Sequence, residues 1–116
     1  MKLFIYFKII LLSSLTFANY AIAKTASERS TLTVISIYQL EDDSKPGFDF
    51  FTANKKHQCG GKGSNRYRSY SDHAEVGTRK FQLIMAALNN GHKVSVKTLG
   101  CEGRAMLVDY IGISLR

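Results

Sequence analysis

Cys59 and Cys101 are the only cysteines in the chain and stand 42 positions apart. Their fate depends on redox compartment, and the N-terminus speaks to that. Lys2 and Lys8 precede and flank the apolar run IILLSSLTF (Ile9 to Phe17), and Ala21-Ile22-Ala23 forms an A-x-A-like cleavage signal. Residues 1–23 therefore read as a signal peptide, with the mature chain starting at Lys24 in a secreted or periplasmic location. A bilayer span needs roughly 20 apolar residues. Ser13, Ser14, Thr16 and Asn19 break the run before that length, so no transmembrane segment is expected in the mature chain. No cysteine follows the cleavage motif, which argues against a lipid-modified N-terminus.

In an oxidising compartment an even pair of thiols closes. A Cys59–Cys101 bridge would restrict the unfolded chain by about 4 kcal/mol in chain-entropy terms, comparable to the net stability of a small domain. The competing readings are a thiolate nucleophile or a zinc site with two of His57, His73 and His92. The spacing lacks the C-x2-4-C and H-x3-5-H pattern of zinc sites. Disulfide formation consumes the thiolate that nucleophilic chemistry needs. No catalytic residue, metal or cofactor is expected.

The strand and helix signals follow in one order. Lys24 to Ser30 is small and polar, a flexible lead-in to a single domain over 31–116. TLTVISIYQL (Thr31 to Leu40) reads as one long strand, bulged near Ser36. Glu41 to Gly47 is a turn, and FDFFTA (Phe48 to Ala53) returns antiparallel, with Phe48 and Phe50 facing one way and Asp49 and Phe51 the other. NKKHQCGGKGS (Asn54 to Ser64) is loop. Its Gly60, Gly61 and Gly63 do not form a phosphate cradle, because Lys62 precedes Gly63 and NRYRSY follows. Asn65 to Tyr70 suits a short third strand, with Tyr67 alternating against Arg66 and Arg68.

Thr78 is positioned to cap RKFQLIMAALNN, with Gly91 closing the helix in the left-handed conformation. Phe81, Ile84, Met85 and Leu88 form its apolar stripe, broadened by Leu83 and Ala87. Asp72 and Glu75 would extend it backwards, against which Gly77 argues. KVSVKTL then alternates with Val94 and Val96 inward, and Gly100 to Arg104 carries Cys101 through a turn. Ala105 to Leu115 is the last strand, with Gly112 at a bend. The fold class is mainly β with one helix: a small OB-like five-stranded barrel in the order β-β-(β)-α-β-β, with an open α+β sandwich as the rival.

The leader, Cys59 in a Gly-rich loop, RKFQLIMAALNNGHKVSVKTLGC and GRAMLVDYIGI together resemble small secreted bacterial proteins related to the B subunits of AB5-type toxins. The matching portion covers roughly residues 57 to 113. The resemblance implies an OB-like fold, a Cys59–Cys101 bridge and a ring of identical subunits that binds host glycans. It supplies no complete sugar-binding constellation.

The full chain carries a formal charge of +7, of which Lys2 and Lys8 leave with the leader. Ten lysines and arginines lie between Asn54 and Arg104 against Asp72, Glu75 and Glu102. Such a surface suits anionic partners, and equally serves plain solubility. Asn65, Arg66, Tyr67, Arg68 and Tyr70 form the candidate ligand-binding group. Guanidinium forks take carboxylate or phosphate, and tyrosines add flat faces and hydroxyls; ordinary exposed β-surface is the alternative. An anionic glycan, a lipid head group or a protein partner fits this chemistry. Export argues against nucleic acid, despite the basic OB-like grooves that bind single strands. Asp42 and Asp43 beside Glu41 read as a solvated turn, and Asp72, His73 and Glu75 as polar residues at the helix edge. Asp109 shares strand parity with Leu107 and Ile111 and would face Arg104, a subunit contact or solvent. The expected function is a secreted non-enzymatic binding module. A small secreted hydrolase and a structural or nucleic-acid-binding OB-like protein are the alternatives.

Overall fold

The computed structural model describes residues 27–41 and 46–115. The expected signal peptide over residues 1–23, Lys24 to Ala26, and the turn acids Asp42 and Asp43 lie outside the described residues. The chain folds as β1 (Ser27–Leu32), β2 (Val34–Gln39), β3 (Gly47–Thr52), β4 (Arg66–Tyr70), α1 (Ala74–Asn90), β5 (Lys93–Glu102) and β6 (Ala105–Ser114). The strands form one six-stranded sheet in the order β1-β5-β6-β4-β3-β2. All ladders are antiparallel except the parallel pairing of β4 with β6. The expected class, mainly β with a single helix, is the one observed.

Where one long strand was expected over Thr31 to Leu40 there are two, which makes six strands. Backbone of the expected lead-in, Ser27 to Ser30, already belongs to β1. β1 pairs with β5 and β2 pairs with β3, so the two edges of the sheet are consecutive in the chain. Leu32 lies opposite Val94, and two residues later Val34 lies opposite Thr52. Thr33 between them is clasped from both sides: its carbonyl accepts the Ala53 N–H at 2.9 Å and its hydroxyl accepts from Lys93 Nζ at 2.8 Å. The expected bulge is present, since the β2–β3 register shifts between Val34 and Ser36. A second shift, between Arg29 and Leu32, surrounds Thr31 at φ 64°.

The core forms on the inner face. Leu32, Val34, Phe48, Phe50, Tyr67, Val94, Val96, Val108 and Ile111 pack with Ile84 and Ala87 of α1, and Phe81, Leu83 and Leu88 close around them. Phe48 meets Phe81 edge-to-face at 5.2 Å, and Phe50 stacks on Tyr67 at 5.2 Å. Met85, expected in the helical stripe, is exposed instead.

Three local expectations are corrected. The helix does not start at Thr78. It begins four residues earlier and runs through Gly77, whose N–H reaches the His73 carbonyl at 3.0 Å. Ser71 organises the entry, its hydroxyl accepting from His73 N–H and donating to His73 O, and Glu75 in the first turn complements the helix dipole. Cys101 does not sit in a turn but within β5, the chain reversing at Gly103-Arg104 where Glu102 opposes Ala105. The irregularities of the β5–β6 ladder fall between Val96 and Gly100, opposite Leu107 to Ile111, and Gly112 pairs in register with Ser95. That slip breaks the parity linking Asp109 to Ile111, and Asp109 is exposed. The helix C-terminus follows expectation: Gly91 is left-handed at φ 69° and donates to Ala87 O at 2.8 Å.

Candidate functional site

Residues of β4 alternate across the sheet, and this divides the expected ligand group. Arg66, Arg68 and Tyr70 lie on the outer face, whereas Tyr67 is 0 % exposed within the core. Asn65 precedes the strand and extends its pairing, Thr52 N–H donating to Asn65 O at 3.1 Å and Asn65 Nδ2 donating to Thr52 O at 2.6 Å.

The outer face is organised by a carboxylate. Asp49 opposes Arg68 in the β3–β4 register, and Phe51 opposes Arg66. Asp49 is only 1 % exposed, a costly position for a charge without partners. Arg68 grips it with a fork, Nε to Oδ1 at 2.6 Å and Nη2 to Oδ2 at 2.9 Å, while Arg66 Nε donates to Oδ2 at 2.9 Å. Arg68 Nη1 continues to Glu102 Oε1 at 2.9 Å, and Tyr70 Oη donates to the same oxygen. The hydrogen bonds to Asp49, above all, hold Arg68 more firmly protonated than an ordinary arginine.

Arg68 is thus fully engaged, but Arg66 is not. Its Nη1 and Nη2 make no hydrogen bond to any described residue. Its guanidinium carbon stands 5.4 Å from the centroid of Phe51, within cation–π range. Phe51 in turn meets Tyr38 edge-to-face at 5.6 Å. Tyr38 and Ile35 are 58 % and 54 % exposed, and these residues with Ser36, Asn65 and Arg66 line a shallow depression of about 330 Å³. Ile35, Tyr38 and Phe51 were missed as site residues by sequence reasoning. Strand parity already placed Phe51 and Asp49 on one face, but joining them to Tyr38 and Arg66 needed the β2–β3–β4 register.

A second cleft, of about 240 Å³, opens near the start of α1 between Gln39, Phe48, Tyr70, His73 and Phe81. Its rim is turned to internal bonds: Gln39 Nε2 donates to Gly47 O at 2.7 Å, Ser71 bonds His73, and Tyr70 bonds Glu102.

Cys59 and Cys101 are joined, with Cα atoms 5.4 Å apart, and no described cysteine is free. His57 is buried and its bonds define its tautomer. Nδ1 accepts from Cys59 N–H at 3.2 Å, so Nε2 carries the proton that is donated to Arg66 O at 2.8 Å. Its ring also meets Tyr67 edge-on at 5.0 Å. Among the described residues no group of three or more His, Cys, Asp or Glu side chains could hold a metal ion, and no helix is long and apolar enough to cross a membrane.

Burial, reinforced by the bond to Glu102, raises the Tyr70 phenol above its ordinary value. The folded state therefore binds this proton more tightly than the unfolded state. Its contribution to stability is complete below the ordinary tyrosine value of about 10 and is lost as pH rises from there through the raised folded value. Denaturant unfolding at pH 9 and pH 11 should show a larger loss for the natural chain than for Tyr70→Phe; equal losses would contradict this coupling.

No protein-family model, curated protein or solved structure matches the chain.

Proposed function

We propose that this chain is an exported, non-enzymatic binding module that recognises a carboxylate-bearing glycan on the outer face of β2, β3 and β4. The observation carrying this is the state of Arg66. Buried Asp49 fixes its guanidinium through Nε, Phe51 supports it from one side, and two donor groups are left without a partner among the described residues. A planar fork held in this way matches a carboxylate at low ordering cost. The neighbouring faces of Tyr38 and Phe51 offer apolar area to a pyranose ring, and the Asn65 side chain borders the same depression.

The fold supports this reading. Taken together, β1 and β2 act as one strand broken at Thr33 that reaches both β5 and β3. A sheet whose two edges are joined by a single residue must curl, and we read the order β1-β5-β6-β4-β3-β2, with α1 between β4 and β5, as that of an OB-like barrel in which β1 and β2 together serve as the first strand. OB-folds bind oligosaccharides and oligonucleotides over their second and third strands, which correspond here to β3 and β4. The likeness to B subunits of AB5-type toxins is proposed on the same grounds, together with the leader and the bridged cysteines. It carries with it a ring of identical subunits, which solution mass reports.

Purified protein applied to a glycan array should retain sialylated or uronic-acid oligosaccharides over neutral ones. Tyr38→Ala and Arg66→Lys should each weaken that binding at least about tenfold, a loss of about 1.4 kcal/mol. The lysine variant keeps the charge and loses the fork, so it separates geometry from electrostatics. Absence of anionic-glycan binding, or binding indifferent to both substitutions, would overturn the reading.

A further inference from the structure

A separate feature lies where the loop of residues 54–64 meets the β5–β6 turn. Lys55, Lys56, Lys62 and Arg104 are exposed there, and none is ion-paired among the described residues. The loop contains no acid. Glu102, the nearest acid in sequence to Arg104, is engaged by Arg68 and Tyr70.

These cations do not ride on a loose loop. Buried anchors alternate with the exposed lysines: Cys59 is bonded to Cys101, His57 and Ser64 pair through their backbones, and Ser64 Oγ donates to Arg104 O at 2.8 Å. Gly60, at φ 81°, lets the Arg104 side chain lie against the loop. A Cβ added there would come within 2.6 Å of Arg104 Cγ. Lys55 passes beside Gly63 in the same manner, a Cβ at Gly63 lying 3.6 Å from Lys55 Cβ. Cations drawn from three parts of the sequence are thereby held on one braced end of the sheet.

We infer that this end is a docking surface for a sulfated polysaccharide, separate from the Arg66 site and independent of it. Fixed cations without internal counter-charges attract a polyanion and lose less freedom on binding it than cations on a mobile tail. Among the described residues, Leu99, 53 % exposed and two positions before Cys101, is the one large exposed apolar side chain near this end in sequence, and a single leucine gives little purchase in a bilayer, which disfavours a lipid surface. A nucleic-acid strand would need successive open aromatic platforms. The exposed aromatics among the described residues, Tyr38 and Tyr110, stand on separate strands, β2 and β6. Sulfate groups along a sugar chain need neither feature.

The test uses dextran sulfate, which carries sulfate and no carboxylate, as the probe, with dextran, phosphatidylserine-containing vesicles and oligo(dT) as comparisons. The protein should bind dextran sulfate at about 50 mM salt and release it as ionic strength rises and screening shortens. Lys55→Gln/Lys56→Gln/Lys62→Gln should weaken binding on the order of a hundredfold, taking a factor of about five per surface cation. Lys62→Glu alone should give a smaller loss in the same direction, guarding against misfolding of the triple variant. Tyr38→Ala should leave dextran sulfate affinity unchanged, and the triple variant should keep any carboxylated-glycan binding, so the two sites fail separately. No dextran sulfate binding, binding unaffected by the lysine substitutions, or equal or stronger binding to vesicles or oligo(dT) would overturn the inference.

Discussion

Replacing Cys59 and Cys101 together by alanine is expected to lower the unfolding free energy by about 4 kcal/mol and the melting temperature by roughly 20 °C. The bridge spans 42 positions, and the segment it encloses contains β4, α1 and most of β5. Cutting it lets the unfolded chain regain the freedom of a long loop, while the folded state keeps its ladders. Because a small domain has a net stability of about 5–15 kcal/mol, the variant would sit near the edge of folding at body temperature. The effect should also be local. His57, Ser64 and Arg104 are braced through the same loop, so amide exchange should speed up first across residues 54–64. Equilibrium denaturation of the oxidised protein and the double-alanine variant measures the difference. A loss under about 1 kcal/mol would mean that the sheet and helix hold the domain without the clamp.

The second large effect belongs to Asp49. Asp49→Ala should cost about 3 kcal/mol, since removing one partner of a buried ion pair strands the other. The two arginines differ in how far they can escape. The Arg66 side chain is 41 % exposed and can turn to water, but that of Arg68 is 18 % exposed and keeps only Glu102 and its neighbours. Most of the cost therefore resides in the Asp49–Arg68 fork. A cycle of Asp49→Ala, Arg68→Ala and the double variant should return a coupling of about 2 kcal/mol, read as a shift in urea midpoint with unchanged slope. Additive losses would show that the two side chains do not stabilise one another. Asp49→Ala should also free Arg66 from its fixed orientation and weaken glycan binding in parallel.

Much of this arrangement was legible in the sequence. Alternation in FDFFTA separated Phe48 and Phe50 from Asp49 and Phe51, and alternation in RYRSY separated Tyr67 from Arg66 and Arg68. The Asn90-Gly91 stop and the inward valines of β5 are local properties, fixed by backbone conformation and strand period, and they appear as expected. The division at Thr33 was not legible, because TLTVISIYQL is strand-forming throughout and the change of partner from β5 to β3 is a tertiary event. The earlier start of α1 was hidden by Gly77, whose intrinsic cost of about 1 kcal/mol is outweighed once Phe81, Ile84 and Ala87 pack on the core. The site itself was half visible. Its arginines and Asn65 stand together in the chain, but the carboxylate that orients them and the aromatics beside them come from other strands, 17 to 19 residues away in the case of Asp49.

The most direct measurement is a nuclear magnetic resonance titration of the labelled protein with a sialylated oligosaccharide. The expected result is a compact set of saturable shifts at Tyr38, Phe51, Asn65 and Arg66, including the Arg66 guanidinium, with the cleft near His73 silent. Shifts centred on that cleft or on β5 and β6, or none at millimolar sugar, would contradict the assignment of the β2–β3–β4 face as the recognition surface.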